Sequence, residues 1–233
     1  MRESTDPNHD GDRVLTHETA QEAAYWRRFY EHVDFAKGSS FFEFANTQDS
    51  LPTTILDIGC GEGRDSFAFA QTGKYVVGLD RSDMGVARAR EKADADGLGE
   101  RLKFSICDVA DTSSLASIVA SVREQRGGAA ICFYMRFFLH SIPEETQDIL
   151  LTTISDQAGR GDVLMAEFRT DKDEKNQHVF GDGHYRRYQN ADDFSKNIRD
   201  QYGWDVDFET EETGLSPYKG EDPVLYRVLA RRS

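Results

Sequence analysis

From residue 53 onward, apolar residues come in short runs of strand length separated by longer amphipathic stretches. The runs fall at 54–58, 75–79, 103–107, 130–134 and 163–168. Between them, 64–71, 83–96, 113–125 and 143–158 space their apolar positions as helices do. Pro143 falls where a first helical turn tolerates proline, and Glu144 and Glu145 complement the helix dipole there. Strands alternating with helices predict βαβ units, and right-handed crossovers place helices on both faces of a parallel sheet. The rhythm breaks after 168. Residues 169–188 are polar, contain Gly181 and Gly183, and predict a long loop. A helix capped by Asn190 is expected at 191–201. Strands at 204–210 and 224–230 follow without an intervening helix, which predicts antiparallel pairing. The expected fold class is α/β: a doubly wound, mostly parallel seven-stranded sheet with an antiparallel C-terminal strand pair and an N-terminal helical cap.

Ahead of that pattern, residues 1–16 are polar and predict a disordered tail. An aromatic helix is expected at 18–33, and Tyr25 and Tyr30 are its candidates for reaching a ligand. Gly38, Ser39 and Ser40 break the chain before an apolar patch of Phe41, Phe42 and Phe44. Residues 17–50 thus form a candidate lid on a single domain spanning 17–233, a size that one core accommodates.

Charge narrows the partners. The net charge of −14 repels nucleic acid and anionic lipid at long range, so neither is an expected partner. No apolar run approaches the roughly 20 residues that span a bilayer, and the N-terminus has no apolar signal core. Cys60, Cys107 and Cys132 form no C-x-x-C pair and lie in or near strands, which fits a reducing, cytoplasmic setting. The carboxylates Asp162, Glu167, Asp192 and Asp193 show no spacing that makes them metal ligands, and no metal is expected.

The chemistry concentrates at Ile55-Leu56-Asp57-Ile58-Gly59-Cys60-Gly61-Glu62-Gly63-Arg64-Asp65. A buried strand ends in a glycine-rich turn and a helix begins at once. Ligands of open α/β sheets sit at such strand ends. A dinucleotide fingerprint reads G-x-G-x-x-G, but here the third glycine comes one residue early. Asp57 would be unwelcome beside a pyrophosphate, yet it can accept hydrogen bonds from an ammonium. A catalytic Tyr-x-x-x-Lys pair is also missing, which argues against an NAD(P) oxidoreductase.

With this motif the chain resembles the class I S-adenosylmethionine (SAM)-dependent methyltransferases over about 53–168, on the small-molecule branch. The resemblance implies that Asp57, Gly59, Cys60, Gly61, Gly63 and Arg64 contact the cofactor. It implies that Asp80, followed by Arg81, holds the ribose hydroxyls, and that Asp108, with Val109, faces the adenine. Tyr134, on the fourth strand, completes the implied cofactor set. No Asn/Asp-Pro-Pro-aromatic element follows that strand, which argues against amino-methylation of nucleic acid. Instead Arg136 and His140 lie four residues apart, and on a helix they would share a face. His140 is a candidate base for a hydroxyl acceptor, Arg136 and Arg169 candidate catalytic cations, and His184 and Arg186 further substrate ligands. Salt bridges to nearby carboxylates, such as Arg136 to Glu167, are the competing role for these arginines. In an acidic chain this local cluster predicts a small acceptor with a phosphonate, phosphate, carboxylate or sugar-linked anionic group, methylated on oxygen. A catalytically silent SAM-binding partner protein is the other reading of the same motif.

Overall fold

The computed structural model describes residues 37–176 and 185–233. Its strands are β1 (Thr54–Ile58), β2 (Tyr75–Asp80), β3 (Leu102–Ile106), β4 (Ile131–Arg136), β5 (Val163–Arg169), β6 (Asp205–Glu212) and β7 (Leu225–Arg231). They form one sheet in the order β3-β2-β1-β4-β5-β7-β6. The first five run parallel, and β7 lies antiparallel between β5 and β6. The helices are α1 (Ser40–Asn46), α2 (Arg64–Gln71), α3 (Asp83–Ala95), α4 (Thr112–Gln125), α5 (Glu144–Gln157) and α6 (Ala191–Asp200).

Alternation along β1 divides the core. Leu56 and Ile58 meet Leu115 and Val119 of α4, Leu150 and Ile154 of α5, and Phe194 and Ile198 of α6. Ile55 faces the other way, toward Phe41 of α1, Phe67 of α2 and Val86 of α3. Each large side chain buried this way contributes about 1.5–3 kcal/mol. The outer strand β6 carries Asp205, Asp207, Glu209, Glu211 and Glu212, and such charge discourages edge-to-edge pairing. Among the described residues no helix is long and apolar enough to cross a membrane.

Two local features depart from the expectation. Residues 40–46 form a helix where the sequence suggested only a break and an apolar patch. Ser39 caps it by accepting from Phe42 N, and Phe41 and Ala45, four apart, are buried. At seven residues its period was too short to stand out. After β5, the polar stretch makes a short 3₁₀ turn at Asp171–Asp173. The tail, the helix at 18–33, Tyr25, Tyr30 and His184 lie outside the described residues.

Candidate cofactor and acceptor site

The strand order reverses between β1 and β4, which opens a crevice at their carboxyl ends. The glycine turn lines it. Gly59, Gly61 and Gly63 have φ of 73°, 56° and 87°, the left-handed region that favours glycine. A Cβ on Gly63 would also stand 2.6 Å from Phe104 Cζ. Gly59 N and Cys60 N donate to Leu79 O at 2.8 and 3.0 Å, which ties the turn to β2.

Asp80 tightens that tie. Its Oδ2 accepts from Gly61 N at 2.8 Å and its Oδ1 from Ser82 N at 2.9 Å. Burial raises its pKa above the ordinary carboxylate value, against the pull of those backbone donors. Asp57 is buried, and its Oδ2 accepts from Ser66 Oγ at 2.5 Å. Burial lifts its pKa from 3.8 to about 7; Ser66 lowers it, and Asp65 and Asp80 raise it further. A group with a positive charge set beside Asp57 would offset that burial cost.

The remaining cofactor candidates divide. Asp108 is exposed and accepts from Ala110 N at 2.9 Å, while Val109 is buried. Asp108 stands two residues beyond β3 rather than at its last position. Arg81 is exposed, and Cys60 is half-buried with its thiol pKa pushed well up by burial. Arg64 donates to the carbonyls of Lys37 and Gly38 at 3.1 and 3.3 Å, so it braces the chain entering α1. The Tyr134 side chain points into the core. It is fully buried, packs on Phe41 and Phe69, and donates to Asp65 Oδ2 at 2.7 Å. Asp65 also accepts from Ser39 N and Ser39 Oγ, at 2.7 and 2.6 Å. Period two turns Tyr134 onto the same face as the buried Ile55 and Asp57.

Sequence reasoning missed two apolar groups near Asp80. Met84, in the first turn of α3, is 45% exposed, and Ile106, in register with Asp80, is 52% exposed. Exposed apolar side chains beside a carboxylate suit a flat base attached to a ribose.

On the acceptor side, β4 runs through Arg136 and then turns sharply at Phe137, whose φ is 53°. The run is not an α-helix, so the shared helical face open to Arg136 and His140 does not form: only a 3₁₀ turn at Leu139–Ser141 follows. The Arg136 guanidinium lies 4.4 Å from the Phe137 ring centre, and its Nε is 3.4 Å from Glu167 Oε1. Desolvation depresses the Arg136 pKa, but the surrounding acidic groups, Asp65 and Glu167 foremost, together more than compensate and the net shift is upward. Glu167 is also bound by Arg227 and by Ser216 Oγ, the latter at 2.9 Å. His140 is buried, and its Nδ1 accepts from Arg169 N at 3.3 Å. With Nδ1 accepting from Arg169 N, a proton on the neutral ring would sit on Nε2. Arg169 is buried and held by Asp173 at 2.7 Å and Glu221 at 2.5 Å. Its charge is already matched inside the fold. Arg186 donates to Tyr188 Oη at 3.4 Å.

Residues 50–120 match the family model of a methyltransferase domain. An uncharacterized RNA methyltransferase of Parasynechococcus marenigrum is 42% identical over 65 residues, 28% of this chain. The chain spans only 14% of that protein's length. Among solved structures, TehB from Haemophilus influenzae superposes with a TM-score of 0.64 at 14% identity, covering 91% of this chain and 67% of that one. The glycopeptide N-methyltransferase MtfA, in complex with SAM, gives 0.60 at 14% identity, covering 86% and 96%. The seven-stranded order is thus the fold shared with these solved structures, and residues 50–120, which carry the glycine turn, are similar to a methyltransferase domain.

Proposed function

We propose that the protein binds SAM and transfers its methyl group to a small-molecule acceptor. The observation that carries this reading is the crevice between β1 and β4, where Asp57, the left-handed glycine turn and Asp80 converge. Asp57 would meet the amino group of the methionine portion. Asp80 would hold the ribose hydroxyls, and Met84, Ile106 and Asp108 would flank the adenine. When bound, SAM would supply an electrophilic methyl group for in-line transfer to the acceptor. The protein's part is orientation and electrostatics.

The finer reading is O-methylation of an acceptor that is already an anion, such as a phosphonate, phosphate or carboxylate. It is supported by Arg136 beside its 3.4 Å partner and by a His140 whose Nδ1 is taken up by Arg169 N, an arrangement that would leave Nε2 to donate. Both orient an oxyanion; neither removes a proton from a hydroxyl. Arg169, matched by Asp173 and Glu221, acts as a brace for the rim in this reading. The likeness to an RNA methyltransferase favours an RNA acceptor as a second reading. A net charge of −14 opposes it.

Calorimetry tests the cofactor. SAM and S-adenosylhomocysteine should bind at micromolar affinity or better, on the order of −8 kcal/mol. Binding of NADH without SAM would overturn the assignment. Labelled SAM with a panel of small anions, neutral alcohols and RNA then separates the acceptor classes. SAM binding with no transfer to any of them favours a silent SAM-binding partner.

A further inference from the structure

We infer that Phe138 sets the size of the alkyl group the bound sulfonium can carry, an inference that rests on the SAM reading above. β1 and β4 pair with Asp57 opposite Tyr134, so Gly59 and Arg136, two residues further on, reach the same level of the crevice. The chain then turns at Phe137, in a conformation rare for a bulky residue. Phe137 N donates to Glu167 O at 2.8 Å, and Ser141 Oγ donates to Phe137 O at 2.9 Å, which fixes the turn.

The turn lays the Phe138 ring on the first glycine of the motif. A Cβ built on Gly59 would stand 2.2 Å from Phe138 Cδ2 and 2.4 Å from Cγ. The neighbouring Leu139 is 1% exposed and anchors the segment in the core. Phe138 is only half-buried: one side rests on the core and the other is open. A ring in contact with the glycine turn, between that turn and the His140 segment, forms a wall of the crevice. Packing alone does not require it, because Leu139 already supplies the apolar anchor. Apolar walls discriminate by volume, at roughly 10–200-fold per methylene.

The test uses the full chain and three sulfonium forms of the cofactor, carrying methyl, allyl or benzyl, with binding read by calorimetry. Wild type should bind the methyl form at least about tenfold more tightly than the benzyl form. In Phe138→Ala that ratio should fall to near one or invert, and Phe138→Leu should lie between. S-adenosylhomocysteine, which has no transferable group, should bind all three proteins within about threefold. If Phe138→Ala does not fold, the ratio in Phe138→Leu decides. An unchanged methyl-to-benzyl ratio, or equal weakening of every form, overturns the role of Phe138 and leaves SAM binding standing. Failure of wild type to bind any form overturns both.

Discussion

Replacing Asp57 with asparagine should stabilise the protein at pH 8 and weaken its hold on SAM. Asp57 is 4% exposed, and its pKa stands at about 7 rather than 3.8. At 1.36 kcal/mol per pKa unit, ionising it inside the fold costs about 4 kcal/mol. The causes are burial first, then the neighbouring Asp65 and Asp80, against the pull of Ser66 and Arg136. The folded-state pKa is the higher one, so the folded protein holds more protons between about pH 4 and 7. Wild-type stability from this group therefore falls as pH rises through that window and levels off above it. Asparagine carries no charge and is free of the penalty, though it accepts from Ser66 less strongly than a carboxylate. Asp57→Asn should match wild type near pH 4 and exceed it by about 2–4 kcal/mol at pH 8. In a chain of this size the gain corresponds to roughly 4–16 °C in Tm. Urea unfolding at pH 4.5, 6 and 8 measures the gap. In wild type, SAM affinity should rise with pH through 7, because an ammonium needs the ionised form; in Asp57→Asn it should be weak and flat. A stability gap independent of pH, or a variant less stable at pH 8, refutes the reasoning.

Three further expectations follow from the same geometry. Asp80→Ala removes the acceptor for Gly61 N and Ser82 N as well as the ribose contact, so SAM should bind about 100-fold more weakly or worse; calorimetry within a factor of three of wild type would contradict it. Arg169→Ala leaves Asp173 and Glu221 buried without their cation and should cost about 3–5 kcal/mol. The half-exposed pair of Arg231 with Asp207 should cost about 1 kcal/mol or less, and equal urea midpoints for the two variants would show that Arg169 is no brace. Tyr134→Phe removes one of three donors to Asp65 and should cost about 1–2 kcal/mol while sparing SAM affinity. A large loss of SAM binding there would put Tyr134 back in the site.

The sheet and its helices were legible because periodicity and turn chemistry agree along most of the chain. The boundaries of α2 and the cap on α6 by Asn190 follow directly from such signals. The glycine turn was legible for a different reason: three glycines in five residues have few other uses than positive φ. What escaped was direction. Period two does not reveal which face of a strand looks into the crevice, so neither the burial of Tyr134 nor the exposure of Ile106 could be read from the pattern. Arg169 escaped because its partners, Asp173 and Glu221, include one 52 residues away that no local pattern connects to it. Phe137 escaped because nothing in a Phe-Phe pair announces a left-handed turn.

Local rules are broken where the chain is shaped for something other than stability: a carboxylate held half-protonated near neutrality, a phenylalanine at φ 53°, an arginine whose Nε has no hydrogen bond. All three lie at the carboxyl ends of β1 and β4. A fold can carry such costs only where neighbours over-determine the geometry. Here they do: Glu167 holds Phe137 through its carbonyl and Arg136 through its carboxylate, and Arg227 and Ser216 hold Glu167 in turn. The same carboxylate that steadies the turn also takes part of the charge of Arg136. An anionic acceptor would therefore have to compete with Glu167 for that guanidinium. Such competition suits a methyl acceptor, because a cation that gripped the oxygen fully would quench the lone pair that must attack.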